Sequence, residues 1–173
     1  MKLFKVGVIG LLANLASGPA LAERTDILFQ AGNWTVEGVT TDYGAYFCQA
    51  TVRGPDDSFS IRPLADTTVR LQFLSEAWEF GEGDVANVQV QIDRKPTRTF
   101  AGATLLQNSV FVDLLDLGAS EDFAREIALG TTINLRTQAG VDVRTYSLSG
   151  SAAAMRFLAA CDAAAIPDRN PFD

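Results

Sequence analysis

The sequence predicts an all-β fold, a β-sandwich or partly open barrel with a short internal helix and a short C-terminal helix. Three observations lead there. Apolar residues alternate with polar ones in many short runs, Gly, Pro and Asp turns separate those runs, and only two segments break the period of two. Strands that follow one another without intervening helices argue for a sandwich or barrel and against βαβ units.

In chain order, Trp34-Thr35-Val36 begins the alternation, and Tyr46-Phe47-Cys48 resumes it after the turn signal Asp42-Tyr43-Gly44. Gly54-Pro55-Asp56-Asp57 is a second turn, followed by Phe59 and Ile61 alternating with Ser60 and Arg62. Val69, Leu71 and Phe73 form a half-buried strand with Arg70 and Gln72, and Val88, Val90 and Ile92 do the same with Gln89 and Gln91. Leu105 to Leu115 is more apolar, with Asn108-Ser109 as a turn and Val110, Val112 and Leu114 on one face. Asp113 and Asp116 fall on its wet side. Ile133 and Leu135 lead to the hairpin signal Ala139-Gly140, and Val141, Val143, Tyr146 and Leu148 return. The internal helix is expected to start at a Ser120 cap and stop at Gly130, with Phe123 and Ile127 on one face. The C-terminal helix is expected from Ser151 to about Asp162, with Ala154, Leu158 and Cys161 on its inward stripe.

The chain divides into an expected leader at 1–22, a single β-rich domain at 23–165 and a loose tail at 166–173. The leader has Lys2 and Lys5, then an uncharged run from Val6 to Ala16. Gly18-Pro19 breaks the run, and Ala20-Leu21-Ala22 has the small-x-small form that a signal peptidase reads. The run is about half the roughly 20 apolar residues that a membrane span needs. Removing 22 of the 173 residues leaves 151, enough for one core that buries about two-thirds of the unfolded chain's surface. With 14 basic and 21 acidic residues the net charge is −7. Loss of Lys2 and Lys5 leaves 12 against 21, or −9. Such a chain, with no basic run, is a poor partner for nucleic acid or for an anionic membrane. Cys48 and Cys161 are the two cysteines, and in an exported chain they are expected to form one structural disulfide.

The absence of histidine removes Ser-His-Asp and Cys-His catalysis and the zinc sites built on imidazole. There is no GxGxxG, phosphate loop or CxxC, and neither a cofactor nor a metal is expected. One cluster keeps chemistry open. Glu76, Glu79, Glu82 and Asp84 surround Trp78 and Phe80, with Gly81 and Gly83 between them. Paired carboxylates beside aromatics suit glycoside hydrolysis, and oxygen ligands on a glycine-rich loop suit a calcium ion. A solvated hairpin loop beside a buried Trp78 accounts for the same residues. Tyr43 and Tyr46, next to Phe47, are a candidate aromatic contact surface, with cross-strand packing as the competing explanation.

Several pieces then fall into a familiar order. Trp34-Thr35-Val36 stands just behind the leader, with Cys48 one strand later and the strand Val88-Gln89-Val90-Gln91-Ile92-Asp93 beyond it. Phe123-Ala124-Arg125-Glu126-Ile127-Ala128-Leu129-Gly130-Thr131-Thr132-Ile133-Asn134-Leu135 reads as helix, glycine and strand. Tyr146-Ser147-Leu148-Ser149-Gly150-Ser151 runs into an alanine-rich helix. Together they resemble the invasion-associated locus B family of exported alphaproteobacterial proteins, over most of the mature chain. The chain departs from that pattern in lacking a closely spaced central cysteine pair; its second cysteine is in the terminal helix. The resemblance implies a β-sandwich-like, non-enzymatic envelope protein without catalytic residues.

The expectation for function is therefore a periplasmic or secreted binding or accessory protein that contacts an envelope or secreted protein partner. One alternative is a small carboxylate-dependent hydrolase or carbohydrate-binding protein using the Glu76–Asp84 loop. The other is a secreted inhibitor of an envelope enzyme.

Overall fold

The computed structural model describes residues 24–64 and 68–165. The expected leader and tail lie outside the described residues. Ten strands form one antiparallel sheet: β1 (Arg24–Ala31), β2 (Trp34–Thr40), β3 (Tyr46–Arg53), β4 (Asp57–Pro63), β5 (Val69–Ser75), β6 (Val85–Ile92), β7 (Arg98–Leu106), β8 (Ser109–Leu114), β9 (Thr132–Thr137) and β10 (Asp142–Ser147). Two helices complete it, α1 (Leu117–Leu129) and α2 (Ser151–Ala165). The strand order is β1-β2-β3-β4-β5-β8-β7-β6-β9-β10, so the sheet ends in β1 and β10 and does not close by hydrogen bonds. The expected all-β architecture, a sandwich or open barrel with one internal and one C-terminal helix, is the one observed.

Two connections leave the hairpin pattern. Residues 76–84 carry the chain from β5 past β8 and β7 to β6, and α1 carries it from β8 across to β9. Elsewhere successive strands pair through short turns, which is why the turn signals in the sequence mark most of the boundaries.

The sheet folds over so that its inner face meets itself. Phe59 of β4 and Phe73 of β5 stack at 4.8 Å, Trp34 of β2 meets Phe59 edge-on at 5.9 Å, and Tyr146 of β10 lies 5.9 Å from Phe59. The Trp34 indole N–H donates to the Ser147 carbonyl at 3.1 Å, bonding the second strand directly to the last. Val36, Ala50, Ile61, Leu71, Val90, Val112, Ile133 and Leu148 fill the space between. Burying an aromatic or branched side chain of this kind contributes about 1.5–3 kcal/mol.

The helices seal the inner face. Phe157 of α2 stacks on Phe29 of β1 at 4.8 Å, and Cys161 reaches Cys48 of β3 in the expected disulfide, with Cα atoms 6.1 Å apart. Ala154 and Leu158 are buried on the same stripe. The Ser151 hydroxyl donates to the Ile127 carbonyl at 2.7 Å, holding the start of α2 to the end of α1. Gly150, at φ +95°, turns the chain between β10 and α2 where its Cα passes close to the Ala31 backbone.

The start of α1 differs from expectation. Asp116, not Ser120, is the cap: its carboxylate accepts from the Ala119 N–H at 2.7 Å. Ser120 is buried inside the helix, and its hydroxyl donates to the Leu114 carbonyl at 3.0 Å. Ser120 lies one turn inside α1, so the open N–H groups that need a cap come before it, within reach of Asp116.

Candidate functional site

Antiparallel register places one side chain from each strand into rows across the sheet's outer face. Thr35, Thr51, Ser60, Gln72 and Phe111 lie in one row through β2, β3, β4, β5 and β8. Arg62, Arg70 and Asp113 make up the next row toward one end. Beyond the other end stand Asp56 and Glu76, joined where the Glu76 N–H donates to the Asp56 carbonyl at 2.9 Å. The β3–β4 turn and Thr25 of β1 raise walls around this surface, enclosing a groove of about 590 Å³. Pockets for small ligands generally occupy about 300–1,000 Å³.

Glu37 of β2, which is 1% exposed, is bonded to three residues of the groove lining, Gln49, Thr51 and Arg53. A carboxylate in that position requires a partner for each oxygen. One oxygen takes Arg53 at 2.6 Å and the Thr35 hydroxyl at 3.2 Å; the other takes the Gln49 amide at 3.1 Å and the Thr51 hydroxyl at 3.4 Å. Thr51 in turn bonds Ser60 at 3.0 Å. Burial pushes the Glu37 carboxyl upward, but hydrogen bonds from Arg53 and Gln49, with the Arg53 charge, outweigh it and hold the group below its ordinary value. Glu37 therefore remains ionised and orients a connected set of hydroxyl, amide and guanidinium groups.

Two other guanidiniums are held in place by aromatic rings. Arg62 stacks over Phe47 at 4.4 Å and Arg70 over Phe111 at 5.6 Å. Arg70 also makes a two-pronged pair with Asp113 at 2.6 and 2.7 Å, which raises its already high pKa. Each guanidinium lies over a ring, and both arginines line the groove.

The sequence matches no protein-family model, and no curated protein matches it either. Among solved structures, the chain is similar to invasion associated protein B from Bartonella henselae. The two share 16% identity and a TM-score of 0.54 over 79% of this chain and 96% of that one. The two folds are alike. At that identity the likeness shows the fold alone.

The acidic residues singled out in the sequence lie along the β5–β6 crossover, and all four are exposed. Glu76 stands at the groove rim, and Asp84 closes its own turn by accepting from the Gly81 N–H at 2.8 Å. Glu79 precedes Phe80, whose N–H donates to the Gln107 carbonyl at 2.6 Å, and Glu82 stands at the tip. Among the described residues, no three acidic, histidine or cysteine side chains gather as a metal ion would need. Trp78 is half-buried, with the Arg144 guanidinium 5.2 Å over its ring. The tyrosines separate. Tyr43 is 98% exposed on the β2–β3 turn. Tyr46 packs its ring over Gly38 and borders a shallow apolar hollow with Leu28, Phe157 and Cys161. Phe47 faces the opposite side of β3, into the groove.

Glu37 itself was not visible as a site. In Trp34-Thr35-Val36-Glu37 it occupies an ordinary wet-face position, and only the register brings Gln49, Thr51 and Arg53 to it. Among the described residues no helix is long and apolar enough to cross a membrane.

Proposed function

We propose that this protein is an exported, non-catalytic binding module of the cell envelope, an accessory protein that holds its partner in the outer groove of β2, β3, β4, β5 and β8. One observation carries this reading: a fully bonded carboxylate, Glu37, fixes the polar groups of that groove before any partner arrives. Preorganised polar groups lower the entropy cost of binding. Export is supported by the leader-like start and by the Cys48–Cys161 disulfide, which suits an oxidising compartment. The fold shared with invasion associated protein B agrees with an envelope role of the kind the sequence resemblance implies.

The test is crosslinking in cells from a photoreactive residue at Gln72 in the groove, compared with one at Glu121, exposed on α1. A saturable envelope component captured from position 72 and not from position 121 is the expected result. Equal capture from both positions, or none from either with the chain oxidised and exported, overturns the assignment of the groove.

A further inference from the structure

The two ends of the Cys48–Cys161 disulfide are not equally buried. Cys48 lies on the inner side of β3, opposite Gly38 of β2, and is 0% exposed within the core that holds Trp34, Val36 and Ala50. Cys161 is half-buried and lines the apolar hollow of about 480 Å³, together with Leu28, Tyr46, Phe157, Ala160 and Ala164. Phe157, Cys161 and Ala164 recur at helical spacing, so one stripe of α2 borders the hollow. Tyr46 and Phe47 point to opposite sides of β3, which separates the hollow from the outer groove.

Thiol–disulfide exchange proceeds by attack of a thiolate on one sulfur of the bond, and access helps decide which sulfur is attacked. A thiolate that enters the hollow meets Cys161. Cys48 is reached only after α2 and the sheet separate, because the core covers it completely. Attack on Cys161 forms a bond from its sulfur to the incoming one, breaks the Cys48–Cys161 bond and releases Cys48 with the electron pair. Apolar surroundings disfavour a thiolate there, so Cys48 takes up a proton and stays beside the mixed disulfide.

We infer that Cys161 is the exchange sulfur of this protein, the position at which a dithiol–disulfide carrier protein makes and breaks the Cys48–Cys161 bond through the hollow. In the oxidising direction the Cys161 thiolate attacks the carrier's disulfide, joining the two proteins and freeing one carrier thiol. Cys48, whose Cα lies 6.1 Å from that of Cys161 in the closed bond, then attacks the Cys161 sulfur and displaces the carrier's second sulfur. The carrier leaves as a dithiol, reduced by the electron pair that this chain gives up in closing its disulfide. Reduction runs the same steps backwards and again passes through Cys161. The lining of the hollow selects among thiols. A cysteine set in an apolar surface buries that surface against Leu28, Phe157 and Ala164, whereas glutathione brings charged groups that lose water there.

The experiment uses the full oxidised protein without denaturant. The probe is a thioredoxin whose second active-site cysteine is replaced by serine, so that a mixed disulfide is trapped. After acid quenching, free thiols are alkylated and both cysteines are read by peptide mass mapping. The probe is expected on Cys161 with the alkyl label on Cys48, at least about tenfold over the reverse arrangement. Ala164→Trp fills the hollow from an exposed position and is expected to slow trapping about tenfold; if that variant does not fold, Ala160→Trp makes the same test. Glutathione, compared at equal thiolate concentration, is expected to react at the same sulfur and more slowly than the probe. The probe on Cys48, or on both sulfurs equally, overturns the inference. Trapping that appears only in urea overturns it too, since the bond is then reached by unfolding. An unchanged rate in the tryptophan variant rules out the hollow as the way in, and glutathione reacting as fast as the probe rules out selection by its apolar lining.

Discussion

Glu37 contributes to stability through bonds that an uncharged amide cannot all replace. A glutamine at 37 retains one acceptor and turns the other into a donor facing Gln49 and Thr51, which already donate to it. Glu37→Gln is therefore expected to lower stability at neutral pH by about 1–2 kcal/mol, measured by urea unfolding. The pH dependence has a definite sign. The folded carboxyl titrates below its ordinary value of 4.5, so the unfolded chain takes up this proton first as pH falls. The stability contributed by Glu37 is complete above that ordinary value and is lost as pH falls through the folded one. The gap between native protein and variant should thus stay constant from pH 7 down to that ordinary value and narrow as the pH falls below it. A gap that stays constant or widens below that value would show that the carboxylate is not the group responsible. Asp93 behaves in the same sense. The Thr131 hydroxyl and the Thr132 N–H donate to it and hold its carboxyl low, so it belongs to the same acid limb.

At the scale of elements, α2 depends on one covalent link and one apolar stripe. Cys48–Cys161 closes a loop with a sequence separation of 113, and in the chain-entropy model a crosslink of that span is worth about 4–5 kcal/mol. Replacing both cysteines by alanine is expected to lower the melting temperature by about 10 °C or more for a domain of this size. The contacts of Phe157 on Phe29 and of Ser151 with Ile127 should still dock the helix. A melting temperature within about 2 °C of the native value would mean that the apolar stripe alone carries α2. The disulfide was legible because the leader expected at 1–22 and an inward stripe through Cys161 both pointed to it. Strands β4, β5, β6, β8 and β9 were legible because one face of each is buried and the other wet, which prints a period of two. β1 and β7 were not. β1 is an outer strand that is mostly exposed, and β7 buries only Ala103, so neither carries an alternating pattern. The site was hidden for a related reason. Thr51, Ser60, Gln72 and Arg62 are what any solvated strand face contains, and their meaning depends on a register among three strands that turn residues do not encode.

The molecule as a whole is a sheet that closes by packing and not by pairing. β1 and β10 remain the two ends of the hydrogen-bonded order, yet β10 lies against β2, β4 and β5 across the core. The polar part of that closure is small: the Trp34 indole to Ser147, and Arg144 of β10 to Asp57 and the Ser75 hydroxyl. Arg144 is partly exposed, and ion pairs of that kind are worth about 0–1 kcal/mol. Trp34 is fully buried, so its bond to Ser147 is shielded from water and its ring fills space beside Phe59. Trp34→Phe retains an aromatic ring, removes the N–H and leaves a small void and a carbonyl without its donor. The expected loss is about 2–4 kcal/mol, the sum of a broken buried bond and a partial cavity. Because the contact joins the second strand to the last, hydrogen exchange should quicken in β9 and β10 as well as in β2. Exchange that rises only around residue 34, with β10 still protected, would mean that Tyr146 and Leu148 hold the far end of the sheet without it.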